Sequence, residues 1–344
     1  MKIKKVLSSF LVGSLAVSVL LTGCSSGGSK AASGTAAEAY APKKALEMIA
    51  PAGAGGGWDL TMRAVSKTLG DTKMVSVPMP VTNKPGGGGG VALSYLQEKK
   101  GSDGTISVYS APLLLINLTG QTPLSYNDVT PLAKLIADYE VFAVKKDSKY
   151  KTINDVMDAL KKDPKSVKVG GNSAAGSLDH LAFLSVAKAA GVSVDQLKNI
   201  DFVSFQDGSA PAQLLGGHID LISSGLGDIK GILESGDAVG LAVTSDKRVG
   251  EGTYAKVPTA KEQGIDATFV NWRGLFGPPG MPEAAVKYWS DTLKKMSDTD
   301  EWKQLCKQNG WDITYADNVE FAKFLEQTNN DYKDLLNSIG MLKK

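Results

Sequence analysis

The chain has 344 residues and a formal net charge of +2, from 38 basic and 36 acidic side chains. These charges are interspersed without long like-charge blocks, so nucleic-acid binding has no electrostatic support. His180 and His218 are the only histidines and Cys24 and Cys306 the only cysteines. No Cys/His cluster is therefore available for a transition metal, and the mature domain has no internal disulfide.

Lys2, Lys4 and Lys5 precede an apolar stretch, Val6 to Leu21, that ends in Leu21-Thr22-Gly23-Cys24. This is the pattern of a secretory signal peptide over residues 1–23, not of a membrane span. Its last four residues resemble the bacterial lipobox, which implies lipidation of Cys24 and an extracytoplasmic protein anchored to the cell membrane. Residues 24–43 are rich in Ser, Gly and Ala, cannot bury a core, and are expected to form a flexible tether. Roughly 300 residues remain, which fits two lobes better than a single core.

Ala45–Ile49 is a strand candidate, followed by a glycine turn and a helical pattern from Leu60 to Leu69 that Asp59 is placed to cap. Met74–Val81 can form the next strand, interrupted by Pro78 and Pro80, and a second glycine turn leads into a helix over Val91–Lys99. Ile106–Tyr109 and Glu140–Val144 read as strands with a less regular stretch between them. Thr152 and Asp155 have capping-box spacing for a helix ending near Pro164. There follow a strand at Val167–Gly170, a helix at Leu178–Ala190, a strand at Phe202–Phe205 and a short helix at Ala210–Leu215. Ile219–Ser223 and Val239–Thr244 flank a helix over Asp228–Glu234, and Thr259 and Glu262 mark another capping box. Ala267–Phe276 is the last strand expected, and three helices start near Glu283, Asp300 and Asn318. Alternating strands and helices predict an α/β protein with mainly parallel sheets. The last three helices are expected to cover the first lobe, so the chain crosses out near Tyr139–Lys145 and returns near Val270–Phe276.

Four turns lie between strands and helix starts: Pro51–Asp59, Asn83–Gly90, Gly170–Ser177 and Gln206–Pro211. Such turns offer unpaired N–H groups at the positive end of a helix dipole, and suggest an anion held mainly by backbone. Phosphate sites fit poorly. No GxxxxGK[ST] occurs, and the relaxed dinucleotide pattern at Gly87, Gly89 and Ala92 falls in a run of five glycines with no acidic residue about twenty positions on. No GxSxG elbow is present, no nucleophile is tied to a histidine, and no cofactor or catalytic residue is expected.

Several single residues admit two readings. His180 either donates to an anion from the first turn of its helix or orients that turn through a backbone hydrogen bond. Arg63 and Arg248 read as surface residues, whereas Arg273, on the return crossing, can face the cleft; these are the only arginines. Trp58 and Trp272 either wall a ligand's carbon skeleton or fill a lobe core. Cys306 reads as a buried thiol, and His218 as solvent-facing.

Taken together, PAGAGGGWD ending at Asp59, NKPGGGGG after Asn83, GNSAAGSLDHL (Gly171–Leu181), DGSAPAQLLGGHIDL (Asp207–Leu221), GLAVTSDKR (Gly240–Arg248), VPTAKEQGI (Val257–Ile265) and WRGLFGPPGMP (Trp272–Pro282) resemble the extracytoplasmic receptors of tripartite tricarboxylate transporters, the Bug family. The resemblance implies a two-lobed fold like type II periplasmic binding proteins, with a ligand cleft between lobe 1 (44–143 plus 270–344) and lobe 2 (144–269). It implies a monomeric, non-enzymatic receptor that delivers a small organic carboxylate, a di- or tricarboxylate or an amino-acid-like one, to two integral membrane permease subunits. Carried onto this chain, the ligand-binding positions are Gly55, Gly56, Gly57 and Trp58; Ser110 and Ala111; Ser173, Ala174, Gly176 and Ser177; Asp207, Gly208 and Ser209; and Ser223 and Ser224. His180, Trp272 and Arg273 are further candidates. Phe205-Gln206-Asp207 departs from the family's usual residues before the turn, and Asp207 either caps the following helix or selects a ligand with an amino or hydroxyl group. A receptor for a membrane sensor and an exported enzyme acting on a carboxylate are the alternatives.

Overall fold

The computed structural model describes residues 40–205 and 207–343. The expected signal peptide, Cys24 and most of the tether lie outside the described residues, as does Gln206. The chain begins with β1 (Glu47–Ala50), α1 (Gly57–Asp71), β2 (Val81–Asn83), α2 (Gly90–Glu98), β3 (Thr105–Tyr109), α3 (Pro112–Leu118) and a long strand, β4 (Thr130–Lys145). It continues through α4 (Ile153–Lys162), β5 (Val169–Gly171), α5 (Leu178–Ala189), α6 (Val194–Leu197), β6 (Phe202–Ser204), α7 (Ala210–Leu215), β7 (Leu221–Gly225), α8 (Lys230–Glu234) and β8 (Ala238–Val243). The return consists of β9 (Val270–Gly277), α9 (Glu283–Ser297), α10 (Asp300–Asn309), β10 (Asp312–Asp317) and α11 (Asn318–Ser338).

Strand β4 joins the two halves. Its first part, through Tyr139, pairs antiparallel with β9 and β10. From Glu140 onward it pairs antiparallel with β7 and β8. The outer strands of each half are parallel, β2–β1–β3 on one side and β7–β5–β6 on the other. The two-lobed α/β architecture stands, but its parallel character is confined to those outer strands. The crossing strands β4 and β9 run against each other because the chain leaves the first lobe along one and re-enters along the other.

Local chemistry accounts for most element ends. Helix α4 has a reciprocal capping box between Thr152 and Asp155, and it buries Ile153, Val156, Met157 and Leu160 at helical spacing. The Thr259/Glu262 box also forms, with Thr259 N donating to Glu262 Oε2 at 2.7 Å, but it starts only a single 3-10 turn, Lys261–Gln263. The strand expected over Met74–Val81 instead begins at Val81. Pro78 and Pro80 lack N–H groups and take part only through their carbonyls, which accept from Leu46 and Met48.

Two expectations are corrected by packing. The stretch between β3 and Glu140 is regular: Leu113, Leu114, Leu115 and Ile116 are buried on α3, and β4 starts ten residues before the expected strand. Helix α11 does not cover the first lobe alone. Phe321 contacts Trp272 and Phe276, whereas Tyr332 stacks on Phe269 and Lys188 of α5 donates to Ser338, so this helix spans both lobes. At 21 residues it is long enough to reach across.

Candidate functional site

The glycine turns converge on one cavity of about 140 Å³ between the lobes. A single water needs roughly 10–15 Å³ on this measure, so the space takes a molecule of several heavy atoms. One wall is the turn before α1, from Pro51 to Trp58, together with Gly86, Gly88 and Gly89 of the second turn and Ser110 after β3. The facing wall comprises Asn172, Ser173, Ala174, Ser177, Leu178 and Asp179, with Asp207 and Gly208 before α7. Gly225, Asp228, Asn271 and Arg273 close it on the side of the crossing strands.

The turns are held by the protein's own side chains. Asp59 is not the N-cap of α1, which is Gly56; it lies in the first turn, almost fully buried, and accepts from Gly55 N at 2.9 Å and Asn83 Nδ2 at 2.8 Å. Arg63, half exposed, donates to the same carboxylate at 2.9 Å. Trp58 Nε1 donates to Ser110 Oγ at 3.0 Å, and Tyr109 hydroxyl donates to Gly89 O at 3.1 Å, which ties the first two turns together. In the third turn Ser173 N donates to Asp179 Oδ2 and Asp179 N to Ser173 Oγ, both at 2.9 Å. Gly176 takes a left-handed φ of 77°, and its N–H donates to His180 Nδ1 at 3.0 Å. In the fourth, Ser209 N donates to Asp207 Oδ1 and Ala210 N to Asn172 Oδ1. Several amides that make such turns attractive to an anion are thus already engaged.

The closed side of the cavity is acidic. Asp138 and Glu140 on β4 and Asp179 on α5 are buried, Asp228 follows β7, and Arg273 is the one buried cation among the described residues. Arg273 pairs with Asp138 through Nη2, donates from Nη1 to Thr61 Oγ1 at 2.9 Å, and sits 5.3 Å from the Trp311 ring centroid. Burial pushes Asp138 up to about 6 against the pull of Arg273. Burial likewise pushes Asp179 up to about 7. Glu140, with no hydrogen-bond partner for either carboxyl oxygen among the described residues, is raised well above the usual range by burial and then by Asp179, Asp138 and Asp228. No group of three or more His, Cys, Asp or Glu residues among the described residues is arranged to hold a metal ion.

Of the expected binding positions, Gly56, Gly57, Trp58, Ser110, Ser173, Ala174, Ser177, Asp207, Gly208 and Arg273 line the cavity. A Cβ on Gly57 would collide with the Arg273 guanidinium, so that approach requires glycine. Gly55, Ala111, Gly176 and Ser209 belong to the same turns without lining the space. Ser223 and Ser224 stand behind it: Ser223 Oγ donates to Asp179 O at 2.7 Å, and Ser224 Oγ to Asp228 Oδ2 at 3.3 Å. His180 orients the third turn and stacks on Phe202 at 4.4 Å, and Trp272 is in the core against Phe321 and Phe324. Asp207, exposed, holds the start of α7 through Ser209 rather than capping by a longer reach. Sequence reasoning misses Asn172, Asp179, Asp228 and Asn271, although Asn172 and Asp179 fall within a quoted motif. Cys306 is buried, its thiol pushed up to about 12 by burial, and His218 is exposed.

A family model described as the tripartite tricarboxylate transporter family receptor matches residues 62–341. A UPF0065 protein from the gbd 5' region of Cupriavidus necator is 24% identical over 306 residues, covering 88% of this chain and 89% of its own. Among solved structures, a TctC solute-binding protein from Polaromonas is 28% identical with a TM-score of 0.62, covering 86% of this chain and 99% of that one. A Rhodopseudomonas palustris protein solved with adipate is 20% identical with a TM-score of 0.76, covering 87% and 98%.

Proposed function

The chain belongs to the tripartite tricarboxylate transporter receptor family, and from that premise we propose that it captures a small organic carboxylate in the interlobe cavity and delivers it to a permease of two integral membrane subunits. It works outside the cytoplasm as a single copy, held to the membrane by lipid on Cys24. The observation that carries the carboxylate is the pair of buried donors on the cavity wall, Ser177 Oγ and Arg273 Nε, neither of which has a partner among the described residues. A carboxylate offers acceptors to both, and hydrogen bonds to a charged group contribute roughly 1.5–3 kcal/mol each. The adipate bound by the Rhodopseudomonas palustris neighbour supports the same ligand class.

A thermal-shift screen of mono-, di- and tricarboxylates tests this. A ligand at 100 times its dissociation constant stabilises the protein by about 2.7 kcal/mol, and Ser177→Ala is expected to weaken its binding at least tenfold with the ligand-free melting point little changed. A screen in which no carboxylate moves the melting point would sink the proposal.

A further inference from the structure

Among the described residues, the cavity walls carry four buried polar atoms without a hydrogen-bond partner: two donors, Ser177 Oγ and Arg273 Nε, and two acceptors, Asn271 Oδ1 and Asp228 Oδ1. Ser177, Asn271 and Arg273 are 0%, 3% and 3% exposed. A carboxylate is acceptor-only, so it can satisfy the two donors and leaves the two acceptors as they are. Leaving a buried acceptor unmade is unfavourable, and a site built around such groups rejects analogues that cannot meet them.

Charge points the same way. Behind the cavity wall at Gly225, a Cβ would lie 3.3 Å from Asp138 Oδ2 and 4.0 Å from Glu140 Oε1, and Asp179 and Asp228 stand on the wall itself. Among the described residues Arg273 is the sole buried cation near these four carboxyl groups, since His180 is turned onto Phe202 and its burial disfavours the charged form. A purely anionic ligand adds negative charge beside acceptors that remain unpaired.

On the premise that the protein is a carboxylate receptor, we infer that its ligands carry a hydrogen-bond donor, a hydroxyl or an ammonium, next to the carboxylate, and that Asp228 and Asn271 are the specificity-determining residues that receive it. The donor supplies the interaction that the acidic wall lacks internally. Burial raises Asp228 even against Arg273 and hydrogen bonds from Ser224, Asn172 and Gly57, and it raises Glu140 further, because the carboxyl groups outnumber the buried counter-charge.

Calorimetric titration with matched sets tests the inference: succinate, malate and aspartate, and glutarate, 2-hydroxyglutarate and glutamate. Within whichever set binds, a donor-bearing member is expected to bind at least tenfold tighter than the plain diacid; hydroxyl and ammonium members tell the two donors apart. Asp228→Ala and Asn271→Leu, each checked for folding by thermal melting, are expected to bring that ratio towards one, whereas Ser177→Ala weakens all members alike. Equal binding of plain and donor-bearing acids, or a ratio unchanged in both variants, overturns this inference and leaves the carboxylate receptor intact. Binding of no carboxylate of any length overturns both.

Discussion

Arg273→Met removes the one buried cation from the crossing strands while keeping most of the side-chain volume. Its guanidinium pairs with Asp138, donates to Thr61 at 2.9 Å and lies over Trp311. Breaking a buried pair from one side costs about 3–5 kcal/mol, because the remaining charge stays buried without compensation. For a folded chain of about 300 residues that corresponds to a fall in melting temperature of roughly 5–8 °C. The loss depends on pH with a definite sign. Asp138 is already raised to about 6 in the native protein, so its contribution to stability is full below the unfolded value near 4 and is lost as pH rises through 6. Without Arg273 the carboxyl is raised further; at pH 5 it is neutral and needs no counter-charge, whereas at pH 8 it must ionise in the interior or hold its proton against solvent. The expected penalty is therefore the full 3–5 kcal/mol at pH 8 and about 1–2 kcal/mol at pH 5. Arg273→Met/Asp138→Leu should recover most of the loss at pH 8. Thermal melts of wild type, both single variants and the double variant at the two pH values decide the matter. Equal losses at pH 5 and pH 8, or a double variant no better than the single one, would refute an interior ion pair as the source.

Two further outcomes follow from the turns. Asp59→Ala should cost about 3–5 kcal/mol, since hydrogen bonds from Gly55 and Asn83 to a buried carboxylate are lost. Arg63→Ala, which removes only a half-exposed partner, should cost within about 1 kcal/mol; comparable melting shifts for the two would contradict this ranking. Burial raises Asp59, but the hydrogen bonds from Arg63, Gly55 and Asn83 outweigh it and hold the carboxyl below its ordinary value, so the Asp59 contribution is present above the unfolded pKa and lost as pH falls. His180 is depressed by burial to about 4, so its contribution is present above 6.5 and lost as pH falls towards 4. Between pH 7 and pH 5 wild type should lose about 2 kcal/mol more stability than His180→Gln, which still offers the Gly176 amide an acceptor but does not titrate. Parallel melting curves across that range would exclude the assignment.

What is legible in the sequence is what neighbours in the chain decide. The capping boxes at Thr152 and Thr259, the bounds of α7 and the starts of α9, α10 and α11 all follow from local turn and cap chemistry. The proline interruptions at 78 and 80 are visible too, although their effect on where β2 begins is not. The acidic wall is illegible for the opposite reason. Asp138 and Glu140 read as polar breaks in an apolar run, and nothing local says that Arg273, 135 residues on, will pair with the first of them. Antiparallel pairing of β4 with β9 makes that contact, and such pairing rests on register between distant segments. Asn271, exposed by an alternating-strand argument as readily as buried, is placed on the cavity by the same register.

The turns themselves change meaning once their hydrogen bonds are traced. Glycine-rich strand-to-helix connections invite the idea of a backbone cradle, yet the amides of Gly55, Ser173, Gly176, Ser209 and Ala210 already donate to Asp59, Asp179, His180, Asp207 and Asn172. Affinity has to come from the atoms left over. Hydrogen bonds from Ser177 and Arg273 to a carboxylate contribute about 3–6 kcal/mol together, short of the roughly 8 kcal/mol that micromolar binding requires. Contact with the Trp58 face can make up part of the difference. The two remaining acceptors, at Asn271 and Asp228, contribute only to a ligand that brings a donor, so selectivity for such ligands rests on those two residues.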